Sequence, residues 1–309
     1  MVLLSGSANE ALARAVADRL GTRLAPRVLE RFPDGELRVE VNASVRGQRV
    51  YVVQPTQPPA EAHLFELLLI GDACRRAGAA HLTAVVPYFG YARQDRRATG
   101  RGPIAARVAA DVIATVGFDA VMAVDLHSRA TEGFFPVPLE HLSAITLLAE
   151  AMRPLAHERS VLVAPDLGAA KLADRYSRIL DMPVATVHKQ RVSGREVTVR
   201  QLVGDVAGKT PLIVDDMLST GGTVVAAARA LLDAGATPDI TVVVTHGLFS
   251  PPASQALRDL PITKFLTTDS VPQAHTGLPV QVVSIAPLLA EVIRRHAHDE
   301  SLGDLLSHQ

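Results

Sequence analysis

Short β-branched runs, apolar at every position, alternate with longer stretches of helical period through most of the chain. Val50–Gln54, Leu82–Pro87, Ala120–Asp125, Val161–Ala164, Leu212–Asp216 and Ile240–Thr245 read as short strands buried on both faces. Between them, Ala60–Ala77, Ile104–Val116, Ala170–Leu180 and Thr223–Ala234 read as helices. This alternation predicts the α/β class, with mostly parallel sheets flanked by helices. Ligand sites in such sheets gather at the carboxyl ends of the strands.

The pattern occurs twice. Each half has a strand ending in an acid and a polar turn, Val124-Asp125-Leu126-His127 in the first and Val214-Asp215-Asp216 in the second. Each half also has a helix closing on Ala-Gly-Ala before a strand, at Ala77-Gly78-Ala79 and Ala234-Gly235-Ala236, where glycine relieves a left-handed cap. Two related domains are expected, residues 1–150 and 151–309. Arg153-Pro154 breaks a helix near the boundary, and the last helix is free to return to the first domain.

With 309 residues, 48% apolar and 20% charged, the chain has the make-up of a folded globular protein. A net charge of −1 with no run of like charge argues against a nucleic-acid or membrane-surface binder. One cysteine, Cys74, excludes an internal disulfide and reads as packing. Met1-Val2-Leu3-Leu4 has neither the basic nor the long apolar region of a signal peptide, and no apolar run is long enough to span a bilayer. The expected location is the cytoplasm.

The densest chemical signal is Leu212-Ile213-Val214-Asp215-Asp216-Met217-Leu218-Ser219-Thr220-Gly221-Gly222-Thr223. An apolar strand ends in two acids, then a turn of small residues opens a helix. Successive N–H groups at a helix N-terminus form a nest for an anion. Gly221 and Gly222 let backbone approach a ligand, while Ser219, Thr220 and Thr223 add hydroxyls. Asp215 and Asp216 suit sugar hydroxyls beside a phosphate. Capping alone would need one glycine, so the turn reads as a site for a phosphorylated sugar. Gly204–Thr210 imitates a nucleotide P-loop, but it has three residues between its glycines instead of four and precedes a strand. It reads as an ordinary turn.

Further motifs occur in a fixed order. They are Arg31-Phe32-Pro33-Asp34-Gly35-Glu36, Val86-Pro87-Tyr88-Phe89-Gly90-Tyr91-Ala92-Arg93-Gln94-Asp95-Arg96, and Asp125-Leu126-His127-Ser128 with Gly133-Phe134-Phe135. Pro165-Asp166-Leu167-Gly168, His188-Lys189-Gln190-Arg191 and the turn follow. In these motifs and their order, over roughly residues 1–295, the chain resembles the ribose-phosphate pyrophosphokinases (phosphoribosyl pyrophosphate synthetases).

The resemblance implies two phosphoribosyltransferase-like domains. It also implies transfer of the β,γ-diphosphoryl group of ATP, with Mg²⁺, to the anomeric oxygen of ribose 5-phosphate, releasing AMP. By the same resemblance, Ser219, Thr220, Gly221, Gly222 and Thr223 cradle the 5-phosphate, and Asp215 and Asp216 hold the ribose hydroxyls. Lys189 and Arg191 approach the transferring phosphates, and Arg191 also reaches the ribose 5-phosphate. His127 and Asp166 place the metal. Arg93, Gln94 and Asp95 contact ATP, together with Phe32, Asp34, Gly35 and Glu36 from a neighbouring subunit of a homo-oligomer, a hexamer or a smaller archaeal-type assembly.

Phosphoryl transfer of this kind needs positioning and cations rather than a protein nucleophile, and no serine elbow or Cys–His pattern is present. Each residue also has a plainer reading. His127 alone suits a buried histidine bonded to a carbonyl, Lys189 and Arg191 suit solvated loop charges, and Phe32 and the Phe134-Phe135 pair suit packing.

Gly102 stands where the common bacterial form carries glutamate, Arg129-Ala130-Thr131-Glu132 falls where two glutamines are typical, and Ser219 replaces an aspartate. These departures bear on regulation and assembly more than on chemistry. Two other functions fit less well: a phosphoribosyltransferase, which needs one such domain, and a non-catalytic regulatory subunit, which does not need Lys189, Arg191, His127 and Asp166.

Overall fold

The computed structural model describes residues 1–191, 197–273 and 276–306, with backbone alone for 189–191 and 197–200. The chain divides into two compact units. The first comprises residues 1–143, 270–272 and 284–309; the second comprises 144–269 and 273–283.

The sheet of the first unit is wholly parallel, in the order β1 (Val2–Ser5), β4 (Arg49–Val53), β5 (His81–Val86), β6 (Ala120–Val124), β7 (Leu139–Leu142). Helices α1 (Glu10–Arg19), α2 (Ala60–Arg76) and α3 (Ala105–Thr115) belong to this unit, as does α8 (Ala286–Ala297), which packs on α1. A separate antiparallel hairpin, β2 (Arg27–Arg31) and β3 (Leu37–Val41), rests its Leu29, Val39 and Val41 on the core.

The sheet of the second unit runs β10 (Val197–Val203), β9 (Val184–Arg191), β8 (Ser160–Ala164), β11 (Thr210–Leu218), β12 (Ile240–Gly247), β13 (Ile262–Thr268), β14 (Val280–Val283). Only the β9–β10 pair is antiparallel. Strands β6, β8 and β12 are buried along their whole length, as strands covered by helices on both faces must be. Here α5 (Ala170–Leu180), α6 (Gly222–Asp233) and α7 (Pro251–Arg258) are crossover helices, and α4 (Ile145–Met152) precedes β8.

The first unit ends at Ser143, ahead of the expected break at Arg153-Pro154. Ile145, Leu148, Ala149 and Met152 of α4 pack with Leu162, Ala164 and Leu212 in the second unit's core, so α4 cannot belong to the first. Pro154 instead converts the end of α4 into a single 3-10 turn, Arg153–Leu155. The segment 284–309 joins the first unit rather than the second.

Strand order reveals how the units correspond: β1-β4-β5-β6-β7 matches β8-β11-β12-β13-β14. Gly78 after α2 and Gly235 after α6, at φ +88° and +82°, therefore occupy equivalent helix ends. The two acidic turns do not correspond. Asp215 belongs to β11, whose counterpart is β4, whereas Asp125 follows β6. After β4 comes Gln54–Pro59, a loop without glycine that its own side chains fill. Gln54 is fully buried, accepts from the Ala8 N–H (3.1 Å) and donates to Glu66 (2.9 Å), while Gln57 donates to the Ala8 carbonyl (2.9 Å). A Cβ on Gly6 would run into the Gln54 amide. No anion could enter that loop without unpacking it.

On α8, His296 Nδ1 lies 2.8 Å from the Tyr51 hydroxyl, its ring meets His81 edge-on at 5.6 Å, and Arg49 pairs with Asp299 (2.9 Å). Burial, then the neighbouring His81 and Arg49, hold the His296 pKa below 6.5. The unfolded chain therefore takes up this proton first as pH falls. The stability contributed by neutral His296 is complete above about pH 6.5 and is lost as pH falls from there through the lower folded pKa. His296→Gln should flatten the decline of Tm between pH 7 and 5. Parallel Tm curves for the two proteins would assign the acid sensitivity elsewhere.

Candidate active site

In the second unit, β8, β9 and β11 run parallel, so their carboxyl ends share one edge of the sheet. β11 extends further than expected. Asp215 is paired with Val244, and pairing runs on to Leu218 with Gly247, so the strand continues two residues past the acids. Pairing with β8 stops at Ile213. Beyond that point the β8 side of β11 is released, where the chain of β8 continues to Pro165-Asp166.

Asp215 is only partly open to solvent. Burial, followed by the neighbouring carboxylates of Asp216 and Asp166, pushes its pKa well above the usual carboxylate range, although Asp215 Oδ1 accepts the Asp216 N–H (3.0 Å). Carboxylates this close disfavour one another's charged form, and a cation or hydroxyl donors would relieve that as protonation does. Asp166 Oδ1 also accepts from the N–H groups of Gly168 (2.9 Å) and Ala169 (3.3 Å), which fixes its carboxylate at the start of α5.

After Leu218 the chain turns into α6. The Ser219 carbonyl accepts from Ser250 N–H (3.0 Å) and Ser250 Oγ (2.8 Å), and Leu248 N–H donates to the Leu218 carbonyl (2.9 Å), so the next crossover braces the turn from below. Gly221 takes the N-cap position at φ +79°, so the N-cap residue has no side chain to accept from the first N–H groups. The turn thus directs the first N–H groups of α6 outward, with the helix dipole behind them. A Cβ on Gly222 would meet nothing within 4 Å, which leaves open space over the nest. Lys189 and Arg191 end β9; their side chains lie outside the described residues.

In the first unit, Phe32–Glu36 forms the tip of the β2–β3 hairpin. Gly35 at φ +93° makes the turn, Phe32 and Glu36 close it (2.8 Å), and Asp34 accepts from the Glu36 N–H (3.1 Å). Phe32 is 48% exposed, so packing does not explain it. Phe135 is in the core, 5.3 Å from Phe89 between ring centres.

Arg93 and Gln94 are exposed on the loop after β5, which Tyr91 turns at φ +65°. Asp95 differs from them. It is buried and held in a two-pronged ion pair by Arg96 (2.7 and 2.8 Å), and Arg96, then Ser128 and His127, draw its pKa down against the effect of burial. It ties the 91–96 loop to the 125–128 loop. His127 is exposed, not the buried histidine its plainer reading suggested. The two residues before it are held by residues that the sequence reading did not single out: His141 Nε2 accepts from the Leu126 N–H, and Ser143 Oγ donates to Asp125 Oδ1.

Residues 1–117 match the family model described as the N-terminal domain of ribose phosphate pyrophosphokinase, and residues 190–307 match the phosphoribosyl synthetase-associated domain. The chain is 42% identical over 309 residues to a ribose-phosphate pyrophosphokinase of Maricaulis maris, covering 99% of both chains. It is 39% identical over 307 residues to that of Aquifex aeolicus, covering 99% of this chain and 98% of the relative. The chain belongs to the ribose-phosphate pyrophosphokinase family. Its fold agrees with the crystal structure of phosphoribosylpyrophosphate synthetase from Mycobacterium smegmatis at a TM-score of 0.90 and 36% identity, over 96% of this chain and 99% of that one. Membership in the pyrophosphokinase family makes this an enzyme that forms phosphoribosyl pyrophosphate from ribose 5-phosphate and ATP. Among the described residues, no helix is long and apolar enough to cross a membrane.

Proposed function

We propose that the chain moves the β,γ-diphosphoryl group of ATP to the anomeric oxygen of ribose 5-phosphate, releasing AMP, in a cytoplasmic homo-oligomer. The observation that carries this reading is the α6 N-terminus behind left-handed Gly221, set one turn beyond Asp215 and Asp216 on the same strand. The 5-phosphate sits against the N–H groups and hydroxyls of 219–223, and the two aspartates accept from the ribose hydroxyls. Lys189 as a point charge and Arg191 as a fork meet the charge that spreads over the transferring phosphates. Arg93, Gln94 and the Phe32–Glu36 tip serve the nucleotide, the tip supplied by a neighbouring subunit.

The donor set suits Mg²⁺. No group of three or more ligands stands ready among the described residues, but Mg²⁺ needs only one or two carboxylates and takes its other ligands from phosphates and water. Asp166, fixed by two backbone donors and already raising the Asp215 pKa by its charge, is the natural protein oxygen, with His127 the second candidate. When bound, the ion neutralises charge on the phosphate oxygens.

The test is an assay of the purified chain with ATP, ribose 5-phosphate and Mg²⁺ that follows both products. AMP and phosphoribosyl pyrophosphate should appear in equal amounts and only with the metal. AMP without phosphoribosyl pyrophosphate, or ADP in its place, would rule out diphosphoryl transfer.

A further inference from the structure

The loop that carries His127 is held in an unusual way. β7 pairs with β6, His141 standing opposite Ala123, and its last residues and Ser143 grip successive positions of the chain leaving β6. The Leu142 carbonyl accepts from Asp125 N–H (3.0 Å), His141 Nε2 accepts from Leu126 N–H (2.8 Å), and Ser143 Oγ donates to Asp125 Oδ1 (2.8 Å). Asp125 itself is at φ +38°, a conformation that a non-glycine residue keeps only when its surroundings impose it.

His141 is 4% exposed, and its protonation state follows from its partners. The Leu126 amide can only donate, so Nε2 must present a lone pair and the ring proton must sit on Nδ1. Nδ1 lies 2.6 Å from Glu132 Oε1, and the carboxylate accepts that proton's hydrogen bond. The histidine is thus locked in one tautomer from both ends. A flipped or doubly protonated ring would leave the buried Leu126 N–H without its acceptor, a loss of the kind that destabilises a buried amide.

We propose that Glu132 and His141 are positioning residues for the reaction. The pair fixes the backbone at Leu126 and so presents the exposed imidazole of His127, one residue on, to the nucleotide and its metal. The proposal rests on the reading that His127 serves the nucleotide side. It also gives a use to the carboxylate of Glu132, which can only accept, whereas an amide there could turn and donate.

Steady-state kinetics on the full-length enzyme with MgATP and ribose 5-phosphate test it, using His127→Ala, His141→Leu, Glu132→Leu and Glu132→Gln. His127→Ala, His141→Leu and Glu132→Leu should each raise the MgATP KM roughly tenfold or more, with the ribose 5-phosphate KM within about twofold of the parent. Glu132→Gln, whose amide oxygen still accepts from Nδ1–H, should keep most of the affinity that Glu132→Leu loses. A purely structural role would lower the active fraction, and with it kcat, without separating the two KM values. If His127→Ala shifts the MgATP KM while the His141 and Glu132 variants do not, the positioning pair is overturned and the reading of His127 stands. If His127→Ala shifts neither KM, both fall. Should His141→Leu fail to fold, the Glu132 variants decide alone.

Discussion

Replacing Lys189 by alanine lowers turnover by roughly 10²–10⁴-fold, on the scale known for cationic and oxyanion-stabilising groups, while the KM for ribose 5-phosphate stays within about twofold. β9 pairs with β8 only as far as Thr186 opposite Ala164, then runs on to Arg191 past the sheet edge where Asp166 and Asp215 stand. On the proposed reading, a cation carried there would meet phosphate oxygens rather than the sugar. The diphosphoryl group bears its greatest charge separation in the transition state, and an interaction made only there is lost from kcat rather than from binding. Arginine is a poor substitute, because its fork is planar and larger than a compact ammonium, so Lys189→Arg should recover only part of the rate. Unchanged turnover in Lys189→Ala, or a tenfold rise in the ribose 5-phosphate KM, would remove Lys189 from this role.

What was legible in the sequence depended on how far local chemistry decided the structure. β6, β8 and β12 are continuous apolar runs, and they formed where those runs lie. Gly78 and Gly235 mark helix ends because a left-handed residue is needed there whatever surrounds it. The 219–223 turn was legible for the same reason. By contrast, β2 and β3 alternate charged and apolar residues on a half-exposed hairpin, and their short runs carry no strong strand signal. β11 was expected to end at Asp216, because acids normally mark a strand's end; pairing with β12 carries it on to Leu218. The burial of Asp95 and its approach to Ser128 and His127 had no signal in the sequence. The Glu132–His141 pair had no signal at all: it joins a 3-10 turn to an edge strand that was itself not expected.

The mistaken match between the two acidic turns is informative. Equivalent strands in the two units, β4 and β11, lead into loops of opposite character. One is packed shut by Gln54, Gln57 and Glu66; the other is kept open by glycine and braced by Ser250. A doubled fold therefore does not imply a doubled site. The candidate residues of the first unit lie on its β5, β6 and hairpin loops instead, at positions that have no counterpart motif in the second.

The open loop yields the other large expected effect, in which two adjacent glycines should behave differently. Gly221 is left-handed, and a Cβ there would lie 3.2 Å from the Leu257 side chain. Gly221→Ala should therefore cost about 1–3 kcal/mol of stability through backbone strain and weaken ribose 5-phosphate binding as well. Gly222, the first residue of α6, has no such constraint. A Cβ there enters open space, and alanine is the better helix former, so Gly222→Ala should keep or slightly raise Tm. On the proposed reading the 5-phosphate approaches the backbone through that space, and a methyl group placed in it should raise the ribose 5-phosphate KM roughly tenfold or more, a loss of about 1.4 kcal/mol, with the ATP KM little changed. Thermal melts and steady-state kinetics on the two variants separate strain from contact. A Gly222→Ala enzyme with parental Tm and parental ribose 5-phosphate KM would mean that the phosphate does not sit against the α6 nest, because stability would have been left intact and only the space tested.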